Sequence, residues 1–280
     1  MKKQQYLVAG SGLVLLFVMF FFGRTLPNKK PAAPAAAKET EKNLDVQSEL
    51  LTAKQKLTAS QQEYVQQMEN AVVRGNVKEQ QIKVYRQLAD FYRDSAHALL
   101  PYAHYTSEAA KLENSEKSLT FAAHFFLDGV RAQEDPALKK WMAVSAKELF
   151  EKALVLDPTN DSLKVGLGSC YIFGNISETP MEGIQIIREV EQRDPKNMYA
   201  QLMLGIGGMI SGQYDKAIER LTNVAKAQPS NPEVVVMLAE AYERKGDKAN
   251  AVKWYEEGKK LITNRDILLE IDHRITELKK

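Results

Sequence analysis

Four histidines, His97, His104, His124 and His273, and one cysteine, Cys170, are the residues best suited to metal binding or nucleophilic chemistry in this chain. A zinc protease needs two histidines one helical turn apart with a glutamate between them, and no H-E-x-x-H occurs. A serine nucleophile presented on a strand-to-helix elbow needs G-x-S-x-G. The stretch GLGSC, residues 166–170, has the residue types without that order, and it lies inside a helical pattern. GIGG, residues 205–208, follows no strand and is not continued as G-x-G-x-x-G, so close helix packing explains it better than a phosphate cradle. Cys170 sits beside Tyr171 and Ile172 and reads as a small buried side chain. A lone cysteine excludes an internal disulfide framework and a C-x-x-C zinc site. Asn160 and Asn175 each begin N-x-S, a pattern short enough to arise by chance. The expectation is a protein without catalysis, metal or cofactor.

The bulk properties agree with that reading. With 38 basic and 36 acidic side chains in 280 residues, the net charge of +2 provides no long-range field to recruit a polyanion, so nucleic acid is not an expected partner. Residues 6–23 carry no charge, and as a helix they would cover about 27 Å, close to the hydrocarbon thickness of a bilayer. A cleaved leader ends at a small-x-small site, and the first A-x-A lies about a dozen residues downstream, so residues 1–26 are expected to be a retained transmembrane anchor. Lysines and arginines balance on its two sides (Lys2 and Lys3 against Arg24, Lys29 and Lys30), which leaves topology open. Residues 27–43, rich in Ala, Pro and charge, are a linker.

Residues 44–77 read as a polar amphipathic helix with a thin stripe of Leu50, Leu57 and Tyr64 at spacing seven. The second seam, Gln47, Lys54 and Gln61, is polar, where a coiled coil wants apolar side chains. The helix either lies on the following domain, fills a groove in it, or forms a dimerisation rod.

Beyond that helix the chain repeats itself. Leu204 and Leu238, Gly205 and Ala239, Gly212 and Gly246, Ala217 and Ala251, and Pro195 and Pro229 each stand 34 residues apart. Asp157-Pro158-Thr159-Asn160 carries the same punctuation earlier. Ala146, Phe150 and Ala153 mark a second helix. Phe121, Ala122 and Phe125 mark its first, separated by a long insertion around residues 131–141. Leu88, Ala89 and Tyr92 supply one more first helix, whose partner is interrupted by Pro101. Such a unit, with L-G/A-x-x-Y, a turn glycine, A-x-x-x-F/Y and a closing proline, resembles the tetratricopeptide repeat. The resemblance implies an all-α helix-turn-helix solenoid of about five units over residues 78–264. Residues 265–280 then form a C-terminal capping helix with Ile267, Leu268, Ile271, Ile275 and Leu278 on one stripe.

The resemblance also implies a site. First helices of such repeats line the concave face, which assigns Lys83, Arg86, Asp90 and Arg93 to one end and Glu233, Glu240 and Glu243 to the other. Leu119, Phe126, Val165, Ile172, Leu202, Ile206 and Met209 fall in the apolar middle. An apolar groove flanked by charge suits a protein partner offering an amphipathic helix or an extended apolar segment. The function implied is a membrane-tethered scaffold or assembly factor, with a holdase-like chaperone for unfolded or translocating polypeptides as the alternative. Resemblance to bacterial envelope proteins puts the repeat domain outside the cytoplasm, without fixing oligomeric state.

Overall fold

The computed structural model describes residues 44–74, 77–174, 176 and 180–280. The expected anchor and the linker lie outside the described residues. Among the described residues no helix is long and apolar enough to cross a membrane.

Thirteen helices and no strand are found among these residues. Two N-terminal helices, α1 (Val46–Gln55) and α2 (Ala59–Arg74), precede five helix pairs. The pairs are α3 (Lys78–Asp94) with α4 (Leu99–Glu113), α5 (Glu116–Ala132) with α6 (Pro136–Leu156), α7 (Asp161–Gly174) with α8 (Met181–Arg193), α9 (Met198–Ile210) with α10 (Tyr214–Ala227), and α11 (Pro232–Lys245) with α12 (Lys248–Lys259). A last helix, α13 (Arg265–Leu278), covers the end of the stack.

The punctuation between units has a physical reason. The asparagine two residues after each proline caps the next first helix through its side-chain oxygen. Asn160 Oδ1 accepts from the Ser162 N–H at 3.1 Å, Asn197 from Ala200 at 3.0 Å and Asn231 from Glu233 at 3.1 Å. Asn264 does the same for Asp266 at 2.9 Å, so α13 starts with the same cap as the first helices. Within a unit the turn glycine is needed for its backbone. Gly212 and Gly246 sit at φ of 74° and 86°, the left-handed region that side chains disfavour. The chain then turns back, with Gln213 N–H donating to Gly208 O at 2.8 Å and Asp247 N–H to Tyr242 O at 2.9 Å. Ala217 and Ala251 are fully buried where the second helices meet the first.

Four sequence expectations need correction. The helix expected over residues 44–77 is instead two, Val46–Gln55 and Ala59–Arg74, broken at residues 56–58, and they pack on the first pair: Leu50, Leu57 and Val65 join Leu88, Tyr92 and Tyr105. Lys54 pairs with Glu69 at 2.6 Å, and the Tyr105 hydroxyl donates to the same carboxylate at 3.0 Å, which fixes α1 and α2 as an N-terminal cap. Pro101 does not break α4, because it is the third residue of that helix, where no intrahelical N–H bond is lost. The insertion around residues 131–141 is not a loop. It lengthens α5 and α6, which run to 17 and 21 residues around a short turn.

The register of unit two is the fourth. Leu119, Ala122, Ala123 and Phe126 are fully buried, whereas Phe121 is 63% exposed. FAAHFF offers two overlapping frames, and the later one is used. In that frame Ala122, Ala123 and Phe126 stand 34 residues after Leu88, Ala89 and Tyr92, the same interval as between units four and five.

Candidate functional site: the inner face and its open end

The first helices α5, α7 and α9 pack side by side, and small residues let them and their partners come close. A Cβ on Gly168 would lie 2.6 Å from the Gly183 carbonyl oxygen, and one on Gly166 would overlap the Phe150 ring. The inner face is consequently closed through the middle units. Leu119 and Phe126 are core residues because of the register shift, and Val165 and Met209 are buried because neighbouring helices approach so closely. None of these four can line an open groove, and the holdase reading loses the feature that motivated it. Ile172, Leu202 and Ile206 are partly buried against the same core.

The closure is completed from the lengthened helix of unit two. The His124 ring of α5 lies 6.0 Å from the Tyr199 ring of α9, and Arg131 Nη2 donates to Glu233 Oε1 of α11 at 2.9 Å. Burial pushes the His124 imidazole below its ordinary range. It also lifts the Cys170 thiol to about 12, so this cysteine is a packing residue.

At the far end Glu240 and Glu243 hold the capping helix. Glu243 accepts from the Tyr255 hydroxyl at 2.6 Å and lies 3.7 Å from Arg274 of α13. Glu240 is half-buried; burial raises its carboxyl, and Arg274 and Arg244 oppose that. Ile271 and Ile275 of α13 are buried with Ala239, Ala251 and Tyr255, while Ile267 of the expected stripe is exposed.

The other end is open. The first helices of units one and two stand apart, with α4 as the floor between them, and enclose a cavity of about 420 Å³. Ala89, Ala109, Ala110 and Tyr102 give it an apolar base, and Phe121 forms one wall. Arg86, Asp90, Arg93, Glu113 and Lys117 rim it. Arg86 is paired with Glu113. Arg93 bonds Asp94 at 2.8 Å and Asp90 at 2.9 Å, and its guanidinium lies 5.7 Å from the Tyr102 ring centre. Hydrogen bonding from Arg93 holds the Asp94 carboxyl below its usual range. Lys117 makes no ion pair among the described residues. Tyr102 is propped in turn by Phe125, edge to face at 5.0 Å.

Sequence reasoning assigned Arg86, Asp90 and Arg93 to the inner face, and the fold gathers them here; Lys83 is exposed nearby on the same helix. It missed Tyr102, Lys117 and Phe121. The 34-residue interval from Leu88 to Ala122 was the available signal, since it leaves Phe121 outside the core frame. Nothing in the cavity pairs a nucleophile with a base, and among the described residues no group of three side chains could hold a metal ion. The arrangement offers a ligand an apolar base, an exposed ring and a charged rim.

Residues 211–262, from the turn of unit four through unit five, match the family model of the tetratricopeptide repeat. That segment of the chain carries a tetratricopeptide repeat. No curated protein sequence matches the chain. Among solved structures, tetratricopeptide-repeat chains are similar in fold. A thermophilic one from Thermus thermophilus, TTC0263, has 18% identity and a TM-score of 0.49, covering 72% of this chain and 98% of that one. MamA from Desulfovibrio magneticus has 19% identity and a TM-score of 0.41 over 64% and 94%. YrrB, described as having an unusual peptide-binding site, has 16% identity and a TM-score of 0.42 over 68% and 91%.

Proposed function

We propose that the chain is a membrane-tethered interaction scaffold that captures one protein partner in the cavity between units one and two. The observation that carries this reading is the splaying of α3 from α5, which leaves Phe121 63% exposed beside Lys117 over an alanine floor. A large exposed aromatic at the edge of an apolar pocket is an anchor point for a partner side chain. Lys117, without an ion pair among the described residues, stands beside it to select a neighbouring carboxylate. The ligand that fits is an extended segment carrying an apolar residue next to an acidic one. Tethering rests on the uncharged run at residues 6–23, and the repeat domain is placed outside the cytoplasm by analogy with envelope proteins.

The test is affinity purification of the full chain from detergent-solubilised membranes, comparing the parent with Phe121→Ala combined with Lys117→Ala. The parent should retain one or two stoichiometric partners and the variant should lose them with unchanged helical content. Equal capture by both, or a broad population of clients, overturns the reading. A reporter fused to the C-terminus decides the topology: activity restricted to the cytoplasm rejects the assigned side.

A further inference from the structure

Unit four lacks a side chain that every other unit has. Each first helix carries an aromatic residue four positions after the leucine or alanine that opens its repeat pattern: Tyr92 after Leu88, Phe126 after Ala122, Tyr171 after Leu167 and Tyr242 after Leu238. In unit four the residue four positions after Leu204 is Gly208, which stands 37 residues after Tyr171 and 34 before Tyr242. Beside Gly208 the structure has a cavity of about 110 Å³ that opens between α8 and α10. Leu204 and Gly207 are buried at its base, and Ile172 and Ile184 are its half-buried walls.

The mouth of this cavity is cationic. Arg188 of α8 and Lys216 and Arg220 of α10 line it, the last two one helical turn apart on a single face. Arg220 is held through Nε at 3.1 Å and Nη2 at 3.2 Å by Glu191, which also accepts from Gln201 at 3.2 Å. Its guanidinium is thereby fixed with its Nη1 donors to spare. Arg188 makes no ion pair among the described residues, and Lys216 donates to the Gln213 side-chain oxygen at 3.0 Å without meeting a carboxylate in the cavity. Three cations share one carboxylate, and a bound anion would relieve their repulsion.

We propose that this cleft binds a small aromatic acid, whose ring fills the space beside Gly208 and whose carboxylate or phosphate meets Arg188, Lys216 and Arg220. The buried base selects an apolar body, and the exposed cationic mouth selects a charged head. A volume well below that of a drug-sized pocket limits the ligand to about one ring. The site is separate from the cavity of units one and two and does not depend on a partner there.

The probes are phenyl phosphate, benzoate and inorganic phosphate, titrated by calorimetry into the full chain in detergent at one ionic strength. An aryl acid should bind saturably, and phenyl phosphate should bind about tenfold more tightly than inorganic phosphate, the difference being the buried ring. The tighter of the two aryl acids identifies the head group. Arg188→Gln combined with Lys216→Gln should weaken both about tenfold or more at an unchanged melting temperature. Gly208→Tyr restores the residue of unit five, where Tyr242 and Ala251 pack in one cluster, and should abolish binding by filling the cavity. A Cβ at this position would lie 3.2 Å from that of Ala217, so if this variant loses helical content the two glutamine substitutions carry the test. No saturable binding of either aryl acid, equal binding by the parent and the glutamine variant, or inorganic phosphate as tight as phenyl phosphate overturns the proposal.

Discussion

The middle of the solenoid and its N-terminal end differ in what stands where helices meet. In units two to four, glycines and alanines stand at the points of closest approach, and the first helices of neighbouring units touch. From α2 through unit one to its border with unit two, aromatic rings meet one another across the helices. Tyr64 meets Phe91 at 5.2 Å, Phe91 meets Tyr92 at 5.3 Å, Tyr92 stacks on Tyr105 at 5.7 Å, and Tyr102 meets Phe125 at 5.0 Å. Rings of this size hold helices apart as well as together. One composition shuts the inner face and the other wedges a cavity open, so the type of residue at the contact decides where a solenoid can bind.

Forcing a side chain into the closed middle should have the largest effect. Gly168→Val places branched carbons against the Gly183 backbone and Ile187, neither of which can withdraw, and should cost about 3 kcal/mol in thermal or urea unfolding. A loss below about 1 kcal/mol would show that the middle is less tightly packed than the glycine contacts imply.

Alkaline pH should loosen the aromatic end. Burial and Glu69 raise the Tyr92 hydroxyl to about 12, and the same two influences raise Tyr105 beside it. A raised folded value means that the neutral phenol is favoured in the folded state. This stabilisation is complete below the ordinary value near 10 and is lost as pH climbs through 12, by about 2 kcal/mol or less for one group. Amide exchange in α3 and α4 should accelerate over that window, and Tyr92→Phe should blunt the effect. Unchanged exchange in α3 and α4 over that window would overturn the expectation; α7 and α9 carry Cys170 and Tyr199, which burial also raises, and are not the control.

The smallest change is expected at the open cavity. Phe121→Ala removes an exposed ring and should leave stability within about 0.5 kcal/mol of the parent by urea unfolding. A large loss would mean that Phe121 belongs to the core and that the register of unit two is the earlier frame.

Much of this architecture was legible in the residues. Asn197 and Asn231, Gly212 and Gly246, and Ala217 and Ala251 announce a cap, a turn and a close approach, because each task admits few residue types. The inner face was not legible to the same degree. Whether Val165 meets solvent depends on how near α5 and α9 come, which is set by glycines contacting other helices. Glu240 and Glu243 looked like groove residues until Arg274, contributed by the capping helix, occupied them. Residues 131–141 looked like a loop because a family interval was exceeded, although nothing in RAQEDPALKKW forbids helix on either side of Asp135-Pro136.

The Arg131–Glu233 contact also changes how the chain should fold. A repeat array gains its contacts from neighbours along the sequence, so ordering can start in any unit and spread, and the ends can fray without the middle. A bond spanning 102 residues closes a loop over three units and can form only after they have stacked. It belongs to the last step of folding and the first of unfolding. Among the described residues it is a contact by which units two and five can sense each other without passing through units three and four.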